Sequence, residues 1–248
     1  MPREWDATTY DSLPLPHLRW GRRTLDRLPL RGDERVLDAG CGTGRDTAGL
    51  LDRLPSGGVV ALDGSVRMLD QLRERLAGRL DRVEVVRADL TAPPLPFEGE
   101  VDAVFSVAAF HWIDDHAALF RTLAARMRPG ARLVSDCGGR GNIAAVNAAV
   151  AQVRGTAPGG WEFAGVEDTR RRLADAGFTD VEVALRPDPA RFEPGEQLES
   201  FLATVILGAE LDGMPEDEHE PFVKAVAGRL AEPVVDYVRL EIAATRAG

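Results

Sequence analysis

Four side chains in the first half of the chain stand where an apolar run gives way to a turn, and each could do chemistry. Asp38 follows Arg35-Val36-Leu37 and precedes glycines at alternate positions, Gly40, Gly42 and Gly44. Such a turn is closed to residues with a Cβ, and its backbone N–H groups face whatever sits in front of it. Asp63 ends a second apolar run, Gly58 to Leu62, where a carboxylate can accept both hydroxyls of a ribose. Asp89, followed by Leu90, ends a third, Val83 to Arg87. An acid there can accept from an exocyclic amino group while the next N–H reaches a ring nitrogen. His111 and Trp112 follow the most apolar run, Val101 to Val107. A histidine titrates near working pH and could act as general base; His111 could equally bond a backbone carbonyl while Trp112 packs beneath a helix.

Placing these groups side by side takes alternating strands and helices. The glycine turn leads into a helix with Thr43 as its cap and Ala48, Leu50, Leu51 and Leu54 as its apolar face. Ser65 to Ala77 reads as a second helix with Met68 one turn in, where it could meet a base or the core. A helix from His116 to Arg128 turns at Pro129-Gly130 into a strand, Ala131 to Asp136. Helices at 142–152 and 166–176 precede a strand at 181–185. Two more, 197–207 and 216–230, precede a final edge strand, 234–244. Alternation of this kind defines a doubly wound α/β sheet with ligands at its carboxyl edge. The first 31 residues are proline-broken and then amphipathic, an arm that could fold over the site. Tyr10 could bring its hydroxyl to a ligand, and Trp20 serves as a ligand or a core contact.

Spacing narrows the ligand. A dinucleotide fingerprint would place its third glycine at position 45, which is Arg45. A carboxylate beside the turn suits no phosphate, whereas S-adenosylmethionine carries an ammonium and a sulfonium. The run D-A-G-C-G-T-G from Asp38 to Gly44 resembles motif I of the class I S-adenosylmethionine-dependent methyltransferases. With W-D-x-x-x-Y from Trp5, A-L-D-G-S, A-A-F-H-W-I-D-D and the Arg-Pro-Gly before the fifth strand, residues 5–136 are most similar to the trans-aconitate methyltransferase group. They depart from that group at His111, where it carries glutamine.

The resemblance implies a seven-stranded, mostly parallel sheet of order 3-2-1-4-5-7-6 with the seventh strand antiparallel. It implies a single domain over 1–248: an arm at 1–30, a cofactor core at 31–137, and cap segments at 138–165 and 187–233. Asp38, Gly40 and Gly42 would hold the methionine end of the cofactor, Asp63 and Gly64 its ribose, Met68, Asp89 and Leu90 its adenine, with Trp20 nearby. The loop after the fourth strand would face the sulfonium, making His111 and Tyr10 the catalytic candidates. Trp112 would meet substrate, and Arg140, Arg154 and Arg191 would orient an acceptor carboxylate.

The expected activity is O-methylation of a small-molecule carboxylate, yielding S-adenosylhomocysteine. The alternatives are C-, N- or phenolic O-methylation with His111 as base and, more remotely, a nicotinamide oxidoreductase or a cofactor-binding protein without catalysis. A net charge of −10 over 248 residues argues against nucleic acid, and Lys224 is the only lysine. No apolar leader or spanning run occurs, so a cytoplasmic protein is expected. Cys41 and Cys137 fall on strand ends roughly 9 to 10 Å apart, beyond disulfide reach, and no metal cluster is indicated. Oligomeric state is not legible.

Overall fold

The computed structural model describes residues 16–156 and 158–248, so Trp5 and Tyr10 lie outside the described residues. The chain runs α1 (His17–Asp26), β1 (Arg35–Ala39), α2 (Arg45–Arg53), β2 (Gly58–Asp63), α3 (Val66–Arg75), β3 (Val83–Arg87), β4 (Val101–Val107), α4 (His116–Ala124) and β5 (Met127–Gly138). It continues through α5 (Ala144–Arg154), α6 (Val166–Asp175), β6 (Phe178–Pro187), β7 (Ala190–Arg191), α7 (Glu196–Phe201), α8 (Gly208–Leu211), α9 (Glu216–Ala227), β8 (Val234–Val235) and β9 (Val238–Arg246).

Seven strands form one sheet in the order β3-β2-β1-β4-β5-β9-β6, and β7 pairs with β8 separately. The strands through β5 run parallel, while β9 is antiparallel to both β5 and β6. This is the order the resemblance implies, with β9 in seventh place. The last strand is not an edge strand: it lies between β5 and β6 and is buried through most of its length. The edge is β6, whose polar Thr179, Asp180 and Glu182 discourage pairing with another chain.

Parallel strands buried on both faces must be apolar on both. In β1, Leu37 and Ala39 enter one core with Val104 and Leu133, while Val36 enters the opposite core with Leu50, Leu69 and Phe105. A third core gathers Ile143, Val146, Phe201, Leu202 and Val226 from the C-terminal half, and Trp20 of α1 is fully buried within it. Helix α1 thus docks on α2, β4 and β5.

Local chemistry sets the helix starts. Ser65 caps α3, its Oγ accepting from Met68 N–H at 3.3 Å. The cap of α2 is Gly44, at φ +77° and without a side-chain hydrogen bond, rather than Thr43. A Cβ on Gly44 would lie 2.6 Å from Leu72 Cγ, so the close approach of α3 demands glycine there.

Candidate active site

The glycine turn and Asp63 are built as one unit. Asp63 accepts from Gly42 N–H with one oxygen and from Ser65 N–H with the other, both at 2.9 Å. Gly40 and Cys41 N–H groups donate to Leu62 O at 2.8 and 3.0 Å, tying the turn after β1 to the end of β2. At Gly40 the φ is +82° and a Cβ would lie 2.3 Å from Ala109 Cβ, whereas a Cβ on Gly42 would meet no protein atom within 4 Å. The turn therefore presses on the loop after β4 at one glycine and opens onto a cavity at the other. That loop is itself strained: Ala108 has φ +57°, held by its N–H to Asp136 O at 2.8 Å.

Asp38 lies beneath the turn. It is 1% exposed, and Thr47 Oγ1 donates to its Oδ2 at 2.6 Å. Burial pushes its pKa from 3.8 to about 8, against the opposing pull of the Thr47 bond. Asp46, beside it and half-buried, is raised to about 6 by desolvation. A recess of about 60 Å³ opens onto Asp38, Asp46, Arg45 and His17. Its wall thus carries both a carboxylate and a guanidinium, the complement of an amino-acid zwitterion.

The main cavity, about 660 Å³, runs along the carboxyl edge of β1 to β4 and is of ordinary size for a small-molecule site. Asp63, Gly64, Met68, Asp89 and Leu90 line one half. There Asp89 Oδ1 accepts from Thr91 N–H and Oγ1 at 2.8 and 2.7 Å, closing a turn that leaves Oδ2 outside both bonds. The other half is aromatic. His111, Trp112, Trp161 and Phe163 form a closed circuit of ring contacts, with neighbouring centroids 5.2, 5.9, 5.7 and 6.0 Å apart. Trp161 and Phe163 are stacked within 8° of parallel. Their segment is fastened by Glu162 N–H to His111 O at 2.9 Å and by a Glu162–Arg172 ion pair.

His111 is buried, and its Nδ1 accepts from Gly138 N–H at 3.2 Å. The neutral ring therefore carries its proton on Nε2. Burial and then the charge of Arg239 hold its pKa well below the usual histidine range. It accepts from a backbone N–H rather than donating to a carbonyl; the histidine next to a carbonyl is His116, whose Nε2 lies 2.9 Å from Phe110 O. His17, also on the cavity wall, is lowered to about 3 by burial with Arg239 and Arg45 nearby.

Arg239 of β9 is the sole lysine or arginine on the cavity wall among the described residues. It is 1% exposed and lies over the Trp20 ring, 3.7 Å from its centroid. Its Nε donates to Asp136 Oδ1 at 2.6 Å and its Nη2 to Asp136 O at 3.1 Å, so Nη1 takes part in neither bond. Arg23 of α1 donates to the other oxygen of Asp136 at 2.6 Å.

Three expected substrate contacts do not line the cavity. Arg140 pairs with Asp168, Arg154 with Glu210 and Arg191 with Glu232, each at least 40% exposed on the outer surface. Their elements turn these side chains away from the sheet edge, and neighbouring acids hold them there. Trp20 does line the cavity, yet its Nε1 donates to Asp188 at 2.6 Å. Sequence reading missed Arg239, Trp161, Phe163, His17 and Arg45. The first signal for Arg239 is an arginine flanked by apolar residues, V-R-L, at the start of the last strand.

The sheet order, the glycine turn and the acids at successive strand ends define the class I methyltransferase fold. Residues 36–130 match the family described as methyltransferase domain. Trans-aconitate 2-methyltransferase of Azoarcus sp. is 38% identical over 128 residues, 51% of this chain and 47% of that protein. The chain thus aligns with about half the length of the curated relatives it matches. Among solved structures, phosphoethanolamine N-methyltransferase 2 of Haemonchus contortus, a complex with phosphomonomethylethanolamine and S-adenosylhomocysteine, superposes with a TM-score of 0.63 at 20% identity. That superposition covers 93% of this chain and 53% of the other. A putative methyltransferase of Bacillus halodurans gives 0.64 at 18% identity over 92% and 99%. Among the described residues no helix is long and apolar enough to cross a membrane.

Proposed function

We propose that the chain is an S-adenosylmethionine-dependent methyltransferase that O-methylates the carboxylate of a small molecule. The donor set suits the cofactor. The recess with Asp38 and Arg45 complements a methionine end, the open face of Gly42 admits it closely, and Asp63 and Asp89 stand one strand apart for ribose and adenine. When bound, S-adenosylmethionine supplies a methyl group on a positively charged sulfur, which departs as a neutral thioether once an acceptor takes the methyl. Leu90 and Met68 close the base side; His111, Trp112 and Ala109 border the acceptor side. We read 31–137 as the cofactor core, 138–165 and 187–233 as cap segments, and 1–30 as an arm.

The observation that carries the choice of acceptor is the hydrogen bond from Gly138 N–H to His111 Nδ1. It leaves His111 with a donor, Nε2–H, facing outward, and burial makes both cavity histidines weak proton acceptors. A phenol or ammonium acceptor needs a base to lose its proton; a carboxylate is ionised already and needs orientation and charge balance. His111 Nε2–H and Arg239 supply donors of that kind. The relatives' names, which specify a carboxylic acid, point the same way.

Calorimetric titration with S-adenosylmethionine and S-adenosylhomocysteine on wild type and Asp63→Ala, followed by product analysis, tests this reading. Expected are binding of both, its loss in the variant, and a base-labile methyl ester. Absence of binding, or a base-stable product, overturns it.

A further inference from the structure

The acceptor half of the cavity is chemically one-sided, and this bears on what enters it. Three of the chain's four tryptophans, Trp20, Trp112 and Trp161, line the cavity together with Phe163 and Tyr237, although aromatics make up only 6% of the chain. Trp112, Trp161 and Phe163 are each only partly buried, so their rings contribute surface to the cavity. Trp161 and Phe163 are near-parallel stacked rings on this wall, and Val205, Ile206 and Ala209 add aliphatic wall. Against this stand one guanidinium, already bonded twice to Asp136, and two carboxylates beside the aromatic wall, Asp114 and Asp115.

Resting on the carboxylate-methylation reading, we infer that the acceptor is a flat, ring-bearing monocarboxylate rather than an aliphatic polycarboxylate. Its ring stacks on the Trp161–Phe163 pair in an offset arrangement, and its carboxylate lies toward Arg239 and His111 Nε2–H. A second and third carboxylate would meet no further lysine or arginine among the described wall residues and would lose hydration beside aromatic rings and aspartates. The transfer needs no co-reactant beyond the methyl donor. An acceptor oxygen forms a bond to the methyl carbon as the carbon–sulfur bond breaks, sulfur keeps that electron pair, and no proton moves.

The test titrates protein saturated with S-adenosylhomocysteine with trans-cinnamate, octanoate and trans-aconitate, and assays each acid for methyl-ester formation from S-adenosylmethionine. Trans-cinnamate binds at least about tenfold more tightly than either other acid, and Trp161→Leu removes most of that advantage while S-adenosylhomocysteine binds as in wild type. Octanoate binding equally well overturns the ring requirement. Trans-aconitate binding equally well, no measurable trans-cinnamate binding, or an unchanged Trp161→Leu overturns the inference as a whole. Trans-cinnamate bound but never esterified upholds only the recognition of a flat ring with one carboxylate and sinks the carboxylate-methylation reading. Trans-aconitate esterified in preference does the reverse.

Discussion

Replacing Arg239 by methionine separates a structural role from a functional one. Asp136 is fully buried and accepts from Arg239 Nε and from Arg23 Nη2, both at 2.6 Å. The Arg239→Met change leaves it one cation and removes the guanidinium stacked on Trp20. Stranding a buried charge costs about 3–5 kcal/mol, and because Arg23 still bonds Asp136 the loss falls near the lower end, about 3 kcal/mol. For a chain of this size that lowers Tm by roughly 6–12 °C. Adding Asp136→Asn removes the stranded charge. Arg23 keeps Asp188 and Glu241 at 3.4 and 3.0 Å, so the double variant regains most of the lost stability. Its turnover does not return: losing a charge-assisted hydrogen bond to the acceptor costs about 1.5–3 kcal/mol, roughly 10- to 150-fold in kcat/KM, in both variants. Thermal unfolding and steady-state methylation of the same samples read the two quantities. A double variant that recovers full kcat/KM along with its stability would refute a role for Arg239 at the acceptor.

Other consequences are as direct. The folded pKa of Asp38 is raised above 3.8 to about 8, so the stability it contributes is complete below about pH 4 and is lost as pH rises through about 8. Accordingly, the Tm of the cofactor-free protein falls more steeply from about pH 5 to about pH 9 in wild type than in Asp38→Asn, and equal slopes would remove Asp38 as the source. A cation bound beside Asp38 requires the carboxylate. Calorimetry of S-adenosylmethionine binding in buffers of different ionisation enthalpy therefore shows proton release near neutral pH, absent in Asp38→Asn. Because His111 is neutral throughout this range, kcat at saturating cofactor has no inflection between about pH 6.5 and 8.5, and a histidine-like limb abolished in His111→Asn would restore it as a base. Gly40→Ala places a Cβ 2.3 Å from Ala109 Cβ at a φ of +82°. At least about 2 kcal/mol of stability and most cofactor affinity are lost, and an unchanged Tm would contradict the tight apposition of these two turns.

The cofactor side of the site was legible because its chemistry is local. Asp38, Gly40, Gly42 and Asp63 sit at the ends of apolar runs, and parallel pairing of β1 with β2 in the register Asp38↔Ala61 brings those ends together without help from distant sequence. The acceptor side depends on contacts that span the chain. Asp136 and Arg239 are 103 residues apart and meet because β9 inserts antiparallel between β5 and β6; His111 and Gly138 are 27 apart and meet across the end of β5. Placement in the expected cap favoured Arg140, Arg154 and Arg191, yet each has a carboxylate within its own surface neighbourhood and none lines the cavity. The arginine that does face the cavity is almost wholly buried, a state that is penalised unless a partner and a task offset the cost. Asp136 is the partner. A surface acid would have paired Arg239 as cheaply as the others are paired, so its retention in the wall at 1% exposure is itself the argument that the task lies in the cavity.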